Sequence, residues 1–272
     1  MPAGPAPIVT FLTDFGAGSG YPAQMKGVVL SRLPAAQLVD LSHEVPPFDL
    51  LAGALLLEAC VPRFPAHAVH CAVVDPGVGT DRRPICVQDR EGRRLVGPDN
   101  GLLTPFLGPG SRCWLLSDRL LAPPPESATF HGRDLFAPVS AWLAGGGAPE
   151  RLGPRVEDPV RLPWPEPVAG ADRLSGEVLV ADPFGNLLTS IRSCHLPSGP
   201  LLVEAGGRPI RTVRTYAEAE PAELVALVGS SGRLELSVRQ GSAAARLGAQ
   251  RGFPVVVRLP GGEPFPAPPA AC

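Results

Sequence analysis

The sequence predicts an α/β protein in which a mainly parallel sheet flanked by helices is followed by a smaller antiparallel β-barrel. Up to residue 147, short apolar runs alternate with longer runs of helical spacing. This alternation is typical of a parallel sheet covered on both faces. Residues 148–172 contain six prolines and little periodicity. Beyond them, short strand-like runs recur between turns, which favours a barrel or a sandwich.

The N-terminal elements follow from the spacing of apolar residues. A buried strand is predicted at residues 8–12, and a helix at 21–33 follows a glycine-rich loop. The other expected elements are a strand at 38–41, a helix at 50–59, strands at 69–74, 85–88, 95–96 and 113–116, and a helix at 135–143. The last helix ends at three consecutive glycines.

The C-terminal part has a different texture, with runs of strand-forming residues and one short helical run. Strands are expected at 176–181, 187–191, 201–203, 209–213, 223–228, 234–238 and 255–259, and a helix at 243–247. The predicted domains are therefore an α/β domain at 1–147, a proline-rich linker at 148–172, a barrel domain at 173–259 and a flexible tail at 260–272.

Composition excludes several classes of protein. Of the 272 residues, 44% are hydrophobic and 18% are charged, which suits a packed core rather than a disordered chain. The net charge of −2, without a basic cluster, gives no sign of a nucleic-acid partner. The most apolar run, 50–61, is interrupted by Glu58 and is too short to span a bilayer. We expect a cytoplasmic protein with no membrane partner, and six reduced cysteines, since no paired spacing occurs.

Candidate functional residues follow the N-terminal strands. Asp14 comes directly after the first strand, where ligands bind in parallel sheets, and its carboxylate can accept bonds from two ribose hydroxyls or cap a turn. Asp75 ends the third strand, and Arg82 follows seven residues later. These two side chains can form a small polar pocket or a structural ion pair. His131 precedes a helix, where it can act as a general base, a proton relay or a capping residue.

Two other kinds of site have weaker support. The glycines at 16–20 and Asp40 at the end of the second strand resemble the nicotinamide-dinucleotide fingerprint, but Tyr21 stands where its last glycine belongs. His67 and His70 are three residues apart, and on a strand such positions point to opposite faces, so one metal ion cannot bind both. We therefore expect no metal site.

Two turns in the C-terminal part carry further candidates. Asp182, Phe184 and Asn186 lie in one turn, where an aromatic ring and an amide can recognise a purine edge, although a simple β-turn has the same composition. Ser230 and Glu235 lie in a second segment, which by itself predicts only a hairpin.

The order of the motifs is more specific than any single motif. Eight follow one another between residues 10 and 236: T-D-F-G, M-K-G-V, D-x-x-H-E-V-P-P, V-V-D-P-G-V-G-T-x-R-R, G-P-D-N-G-L-L, T-F-H-G-R-D-x-F-A-P, F-G-N-x-x-T and S-x-G-x-L-E. In this order the chain resembles the S-adenosyl-L-methionine (SAM) hydrolase family, also called hydroxide adenosyltransferases. That family is related to the fluorinase and chlorinase enzymes.

The resemblance implies an enzyme that cleaves SAM with water to adenosine and methionine without a cofactor. It also implies a homotrimer, with active sites between the N-terminal domain of one subunit and the C-terminal domain of its neighbour. By the same resemblance, Asp75, Arg82 and His131 position and deprotonate water, and Asp14 holds the ribose hydroxyls. Contacts to adenine or to the methionine portion are implied for Asp182, Asn186, Ser230, Glu235 and the backbone of Val238.

The halogenating relatives differ from this chain at the nucleophile. They resemble it elsewhere but place tyrosine where Asp75 stands, and a small halide-binding residue in the stretch after Phe130. A carboxylate repels chloride or fluoride but can accept a proton from water. The sequence therefore favours hydrolysis, and the alternatives are a SAM-dependent halogenase, a non-catalytic binder of adenosyl compounds and a nicotinamide-dependent oxidoreductase.

Overall fold

The computed structural model describes residues 5–117, 125–262 and 265. Contacts divide the chain into two compact units, Met1–Trp164 and Pro165–Cys272. The boundary falls inside the predicted linker, and residues 152–162 lie in the first unit, where they bond to its strands and loops. For example, the Val160 amide donates to Asp99 Oδ1 over 2.8 Å, and the Leu162 amide donates to Thr104 Oγ1 over 2.8 Å. The predicted tail lies largely outside the described residues, and the predicted domain limits stay a prediction.

The first unit contains a six-stranded sheet. Its strands are β1 (Ile8–Thr13), β2 (Gln37–Ser42), β3 (Val69–Val73), β4 (Pro84–Gln88), β5 (Arg94–Pro98) and β6 (Arg112–Leu115). They lie in the order β2-β1-β3-β5-β4-β6. The pairs β1–β2, β1–β3 and β3–β5 are parallel, whereas β4 runs antiparallel to β5 and β6. The predicted mainly parallel sheet, with its antiparallel hairpin, is confirmed.

Helices cover both faces of this sheet. They are α1 (Tyr21–Arg32), α2 (Leu50–Cys60) and α3 (Ala137–Ala144). The buried side chains of α1 and α3 pack against Phe11 on one face. A Cβ at Gly53 of α2 would lie 3.6 Å from Leu12, which points to the other face because strand side chains alternate. Among the described residues, none of the helices combines the length and apolar character needed to cross a membrane.

The helix predicted at 135–143 begins differently from the expectation. Residues Gly132–Phe136 form a single π-helical turn, and the α-helix starts only at Ala137. A Cβ at Gly132 would lie 3.2 Å from Met25 Sδ and 3.2 Å from the Phe130 ring, so glycine lets this turn pack closely. Such wide turns are frequent at functional sites.

The second unit is a closed barrel of seven strands. The short strand β7 (Val168–Ala169) precedes the barrel, whose seven strands are β8 (Arg173–Ala181), β9 (Leu187–Arg192), β10 (Leu202–Ala205), β11 (Arg208–Thr212), β12 (Leu224–Val228), β13 (Arg233–Val238) and β14 (Pro254–Arg258), with a short helix α4 (Ala243–Leu247). The order β14-β10-β11-β12-β13-β9-β8 closes where β14 pairs with β8, and β7 adds to β8.

One pair in the barrel is parallel, contrary to the all-antiparallel expectation. Strands β11 and β12 run in the same direction, with Arg211 opposite Val225. The long connection between them, which contains the 3-10 turn Tyr216–Glu218, allows the chain to cross over before it pairs again. The barrel itself is confirmed.

The redox state of the described cysteines follows their position in the fold: the cysteines in or near the core are free thiols, and one exposed cysteine is disulfide-bonded. Cys60, Cys71, Cys86 and Cys113 are free thiols, and burial raises the pKa of Cys71 to about 12. The expectation of reduced cysteines is wrong for Cys194, which is disulfide-bonded. This residue lies on an exposed turn after β9 rather than inside a buried strand, so its sulfur is accessible for pairing.

A buried histidine links folding to pH. His70 on β3 is fully buried, and its Nδ1 lies 2.8 Å from Thr10 Oγ1. Burial, followed by the charges of Arg93 and Arg94, lowers its pKa from 6.5 to about 4. The unfolded chain therefore takes up this proton first as the pH falls, and stability is lost between pH 6.5 and 4.

We predict that this loss disappears in His70→Gln, since glutamine does not titrate. The free energy of unfolding of the original protein minus that of the variant should fall by about 3 kcal/mol between pH 7 and 4. Urea unfolding at a series of pH values measures this difference. A difference that stays constant across the window contradicts the assignment.

Candidate active site

Three side chains from distant stretches of the first unit form one polar cluster, here called the Asp75 cluster. Asp75 follows β3, Arg82 precedes β4, and His131 precedes the π-helical turn. Arg82 Nε lies 3.0 and 2.9 Å from the two Asp75 carboxylate oxygens, and Arg82 Nη2 lies 2.5 Å from Oδ2. The same Nη2 lies 2.7 Å from His131 Nδ1. The structure thus brings together the three residues for which the family resemblance implies a role in activating water.

The cluster is held away from bulk water. The Asp75 and Arg82 side chains are 4% and 9% exposed, respectively. The Arg82 guanidinium also lies 5.4 Å from the centre of the Phe136 ring, a distance suited to a cation–π contact. Because low exposure weakens screening, the charges of this ion pair act strongly on their neighbours.

The bond from Arg82 fixes the tautomer of His131. A guanidinium carries donors only, so His131 Nδ1 must accept, and the imidazole proton lies on Nε2. Partial burial, followed by the Arg82 charge, lowers the pKa of His131, while Asp75 and Asp134 act in the opposite direction. His131 is therefore a neutral imidazole at neutral pH and presents an N–H donor on its free side.

Nearby backbone features hold the Asp75 cluster in place. Gly79, in the loop between Asp75 and Arg82, has φ +81°, and a Cβ there would lie 3.0 Å from the Ala128 carbonyl oxygen. The loop therefore packs against the stretch that leads to His131. Asn100 Nδ2 donates to the Val74 carbonyl over 2.9 Å, just before Asp75. Asn100 belongs to the motif G-P-D-N-G-L-L, which by itself gave no sign of this supporting role.

Asp14 lies at the same edge of the sheet as Asp75. Strands β1 and β3 are parallel neighbours with Thr13 opposite Val73, so the two carboxylates follow adjacent strand ends. Asp14 Oδ2 accepts a 2.9 Å bond from the amide of Phe48, an exposed residue with φ +67°.

An aromatic cluster, not predicted from the sequence, borders this edge. The rings of Phe15, Tyr21 and Phe130 meet edge to face, with centres 5.0 to 5.8 Å apart. Phe15 follows Asp14 in the motif T-D-F-G, and Phe130 precedes His131 in T-F-H-G-R-D-x-F-A-P. An aromatic residue beside each candidate site residue was therefore visible in the sequence. Tyr21 is 51% exposed, which leaves part of this apolar surface open to a ligand.

In the second unit, Asp182 and Asn186 form a self-contained turn between β8 and β9. Asp182 Oδ1 accepts from the amides of Phe184 and Asn186, each over 2.9 Å, and Oδ2 accepts from Asn186 Nδ2 over 2.9 Å. The Asp182 carboxylate is thus engaged in holding the turn. The Phe184 ring is 77% exposed.

Glu235 lies buried on β13 in a group of three polar side chains. Its Oε1 accepts from the Tyr216 hydroxyl over 2.5 Å and from Ser237 Oγ over 2.7 Å. Burial, followed by the bond to this carboxylate, raises the pKa of Tyr216 to about 12. Tyr216 was missed because its partner is nineteen residues away in sequence.

The remaining C-terminal candidates do not form one cluster. Ser230 lies in the turn before β13, whereas Val238 ends that strand, so the length of the strand separates them. Asn186 lies next to Leu187, which pairs with Leu236, and therefore lies near the Val238 end. The barrel thus brings Asn186 and Val238 to one end and Ser230 to the other.

We predict that removal of the guanidinium raises the pKa of His131. Arg82→Ala deletes the positive charge and frees Nδ1, and it leaves the neighbouring Asp75 carboxylate without its partner, so each change favours the imidazolium. An NMR titration of the histidine ring protons measures the shift, with His195 in the second unit as the internal control. A His131 pKa that stays unchanged or falls contradicts the described cluster.

Comparison with known proteins assigns the chain to a family. Residues 9–153 match the SAM hydroxide adenosyltransferase N-terminal domain, and residues 176–256 match the C-terminal domain of the same family. An "(R)-S-adenosyl-L-methionine hydrolase" of Thermus thermophilus is 44% identical over 256 residues, which cover 91% of this chain and 98% of the relative.

More distant similarities agree. The crystal structure of an uncharacterized conserved protein from Thermotoga maritima superposes with a TM-score of 0.84 at 32% identity, and the match covers 92% of this chain and 100% of that one. A fluorinase of Actinoplanes sp. is 29% identical, over 72% of this chain and 75% of its own length. The halogenating enzyme is thus the more distant relative, and the chain belongs to the SAM hydroxide adenosyltransferase family.

Proposed function

We propose that the protein hydrolyses SAM to adenosine and L-methionine by in-line attack of water on C5′. The observation that carries this proposal is the Asp75 cluster, in which a carboxylate, a guanidinium and a neutral imidazole meet within hydrogen-bonding distance. The name of the Thermus relative specifies the (R) form of SAM, and we propose the same form as the substrate here.

The chemistry requires a weak nucleophile to be activated. The sulfonium of SAM is a good leaving group, but water must lose a proton as it attacks, with its oxygen about 3–3.5 Å from C5′. As the O–C5′ bond forms, the C5′–S electron pair moves to sulfur, which leaves methionine as a neutral thioether. The proton of the attacking water must go to a basic side chain.

Asp75 is the proposed proton acceptor. Arg82 cannot take the proton, because an arginine guanidinium in a protein is already fully protonated. His131 Nδ1 already accepts from Arg82, and Nε2 carries a proton, so the imidazole can donate to the water oxygen and orient it. Asp75 Oδ1 accepts one bond from Arg82 and has a further lone pair for the proton. Arg82 stabilises the hydroxide character that develops on the oxygen.

The remaining roles and partners belong to the same proposal. Asp14 holds the ribose hydroxyls, and contacts to adenine or methionine come from Asp182, Asn186, Ser230, Glu235 and the Val238 backbone. The protein works in the cytoplasm as a homotrimer, with each site shared between neighbouring subunits, and no metal ion or cofactor takes part. Membership of the hydroxide adenosyltransferase family supports these roles.

Among the alternatives, halogenation has the most direct counter-argument. The Asp75 carboxylate would repel an incoming halide, and fluorinase relatives match at lower identity than the hydrolases. Family membership also disfavours the nicotinamide oxidoreductase, and Asp40 is engaged by Lys26 over 2.6 Å. A non-catalytic binder would bind SAM without releasing methionine.

We predict that Asp75→Asn lowers kcat at least ~100-fold and leaves the dissociation constant for SAM within a few-fold, since the amide keeps the shape but takes no proton. Methionine release and calorimetric binding measure the two quantities. Asp81→Asn is the matched control, because Asp81 is exposed in the same loop. Undiminished turnover in Asp75→Asn would remove Asp75 from the chemistry.

Solvent labelling tests the site of attack. In H₂¹⁸O, the proposed attack on C5′ places one label in the 5′-hydroxyl of adenosine and none in methionine. Mass spectrometry of both products measures this, and a parallel reaction with chloride is examined for 5′-chloroadenosine. Unlabelled adenosine overturns the mechanism, and 5′-chloroadenosine as the main product favours the halogenase.

A further inference from the structure

Two loops at the carboxyl edge of the sheet are joined along their length. The Asp14 loop (residues 13–17) begins at the last residue of β1, and the His43 loop (residues 43–48) follows β2. The Gly16 amide donates to the His43 carbonyl over 2.7 Å, and the Ala17 amide donates to Glu44 Oε1 over 2.5 Å. Together with the hydrogen bond from the Phe48 amide to Asp14, these contacts join the two loops into one loop pair.

The His43 side chain lies at the centre of this loop pair. It is 6% exposed, and its Nδ1 lies 2.9 Å from Thr13 Oγ1. The same Thr13 oxygen accepts a 3.2 Å bond from the Phe15 amide. The threonine hydroxyl therefore joins the imidazole to the backbone on both sides of Asp14.

A pair of charges stabilises the orientation of this imidazole. His43 Nε2 lies 3.0 Å from Asp40 Oδ1, and Lys26 on α1 donates to Asp40 Oδ2 over 2.6 Å. Burial raises the pKa of Asp40, but the hydrogen bonds and charges of Lys26 and His43 lower it by more than burial raises it. The pKa of Asp40 is therefore below its usual value, and the carboxylate stays ionised at neutral pH. A negative charge at this position favours a proton on Nε2, which leaves Nδ1 free to accept the Thr13 hydroxyl.

We propose that His43 is a positioning residue for Asp14, which acts through Thr13 and is held in turn by Asp40 and Lys26. The proposal rests on the proposed function, in which Asp14 binds the ribose hydroxyls. Two parallel bonds to a ribose depend on the carboxylate direction, and small displacements of such groups are costly. The motif M-K-G-V contains Lys26, and the motif D-x-x-H-E contains Asp40 and His43; neither motif has a role in the proposed chemical step. In this proposal both motifs contribute to substrate binding by positioning Asp14.

A substrate comparison separates this role from a general structural one. His43→Leu and Thr13→Val each remove the hydrogen bond between Thr13 Oγ1 and His43 Nδ1, while His43→Asn keeps an acceptor near the Nδ1 position. Each variant is assayed for kcat and KM with SAM and with its 2′-deoxyribose form. We expect His43→Leu and Thr13→Val to lower kcat/KM for SAM about 10-fold, mainly through KM, and to change it little for the deoxy form. His43→Asn should recover most of the loss.

The matched control is the second buried threonine–histidine pair of the same sheet. Thr10→Val removes the 2.8 Å bond to His70, away from the Asp14 loop. This control should leave the preference for ribose over deoxyribose unchanged. If His43→Leu does not fold, as judged by circular dichroism, the nearly isosteric Thr13→Val carries the test.

The outcomes also separate the two levels of the proposal. If the original protein releases no methionine, the proposed function fails and this inference fails with it. If Asp14→Asn keeps the full preference for ribose, hydrolysis still stands, but the ribose role of Asp14 fails together with this inference. If Asp14→Asn loses the preference but Thr13→Val and His43→Leu keep it, the positioning role alone is overturned. An equal loss with both substrates also overturns it, because a loosened fold acts on both.

Discussion

The arrangement of the site depends on one guanidinium that bonds to two partners of different kinds. Arg82 donates to the Asp75 carboxylate on one side. Because a guanidinium has only hydrogen-bond donors, its second partner, His131, must accept through a lone pair. That requirement makes His131 neutral and turns its N–H outward. A lysine at this position could supply the charge but not the planar fork that fixes both neighbours. The orientation of the carboxylate and the tautomer of the imidazole are therefore set together.

The fold places this interaction by bringing distant strand ends to one edge. The parallel register of β1 and β3 puts the loops after them side by side, and the π-helical turn before α3 brings His131 to the same place. Glycines permit the close approaches, as at Gly79 and Gly132, where a side chain would meet a carbonyl oxygen or an aromatic ring. The polar residues thus depend on two uncharged positions, Gly79 and Gly132, where there is no room for a larger side chain.

The sequence was sufficient for the fold class, most element positions and the three members of the Asp75 cluster, because apolar periodicity and motif order depend on local sequence. The parallel pairing of β11 and β12 could not be predicted, since strand direction depends on the path of the chain between them. Contacts such as Tyr216 with Glu235, or Thr13 with His43, join residues whose individual patterns carry no sign of each other. The bonds of residues 152–162 were likewise hidden, because a proline-rich segment can pair with side chains and strand edges without any periodicity.

Those bonds also bear on how the molecule avoids unwanted association. The outer edge of β6 is occupied by the chain itself, since the Leu115 amide bonds to the Pro154 carbonyl and the Val156 amide bonds to the Cys113 carbonyl. An uncovered strand offers its main-chain groups as a template for another polypeptide, and closing the barrel removes such a template from the second unit. At the opposite end of the first sheet lies β2, which carries Asp40. A charge on a border strand discourages the stacking of further chains, so this carboxylate can protect solubility while it holds a histidine.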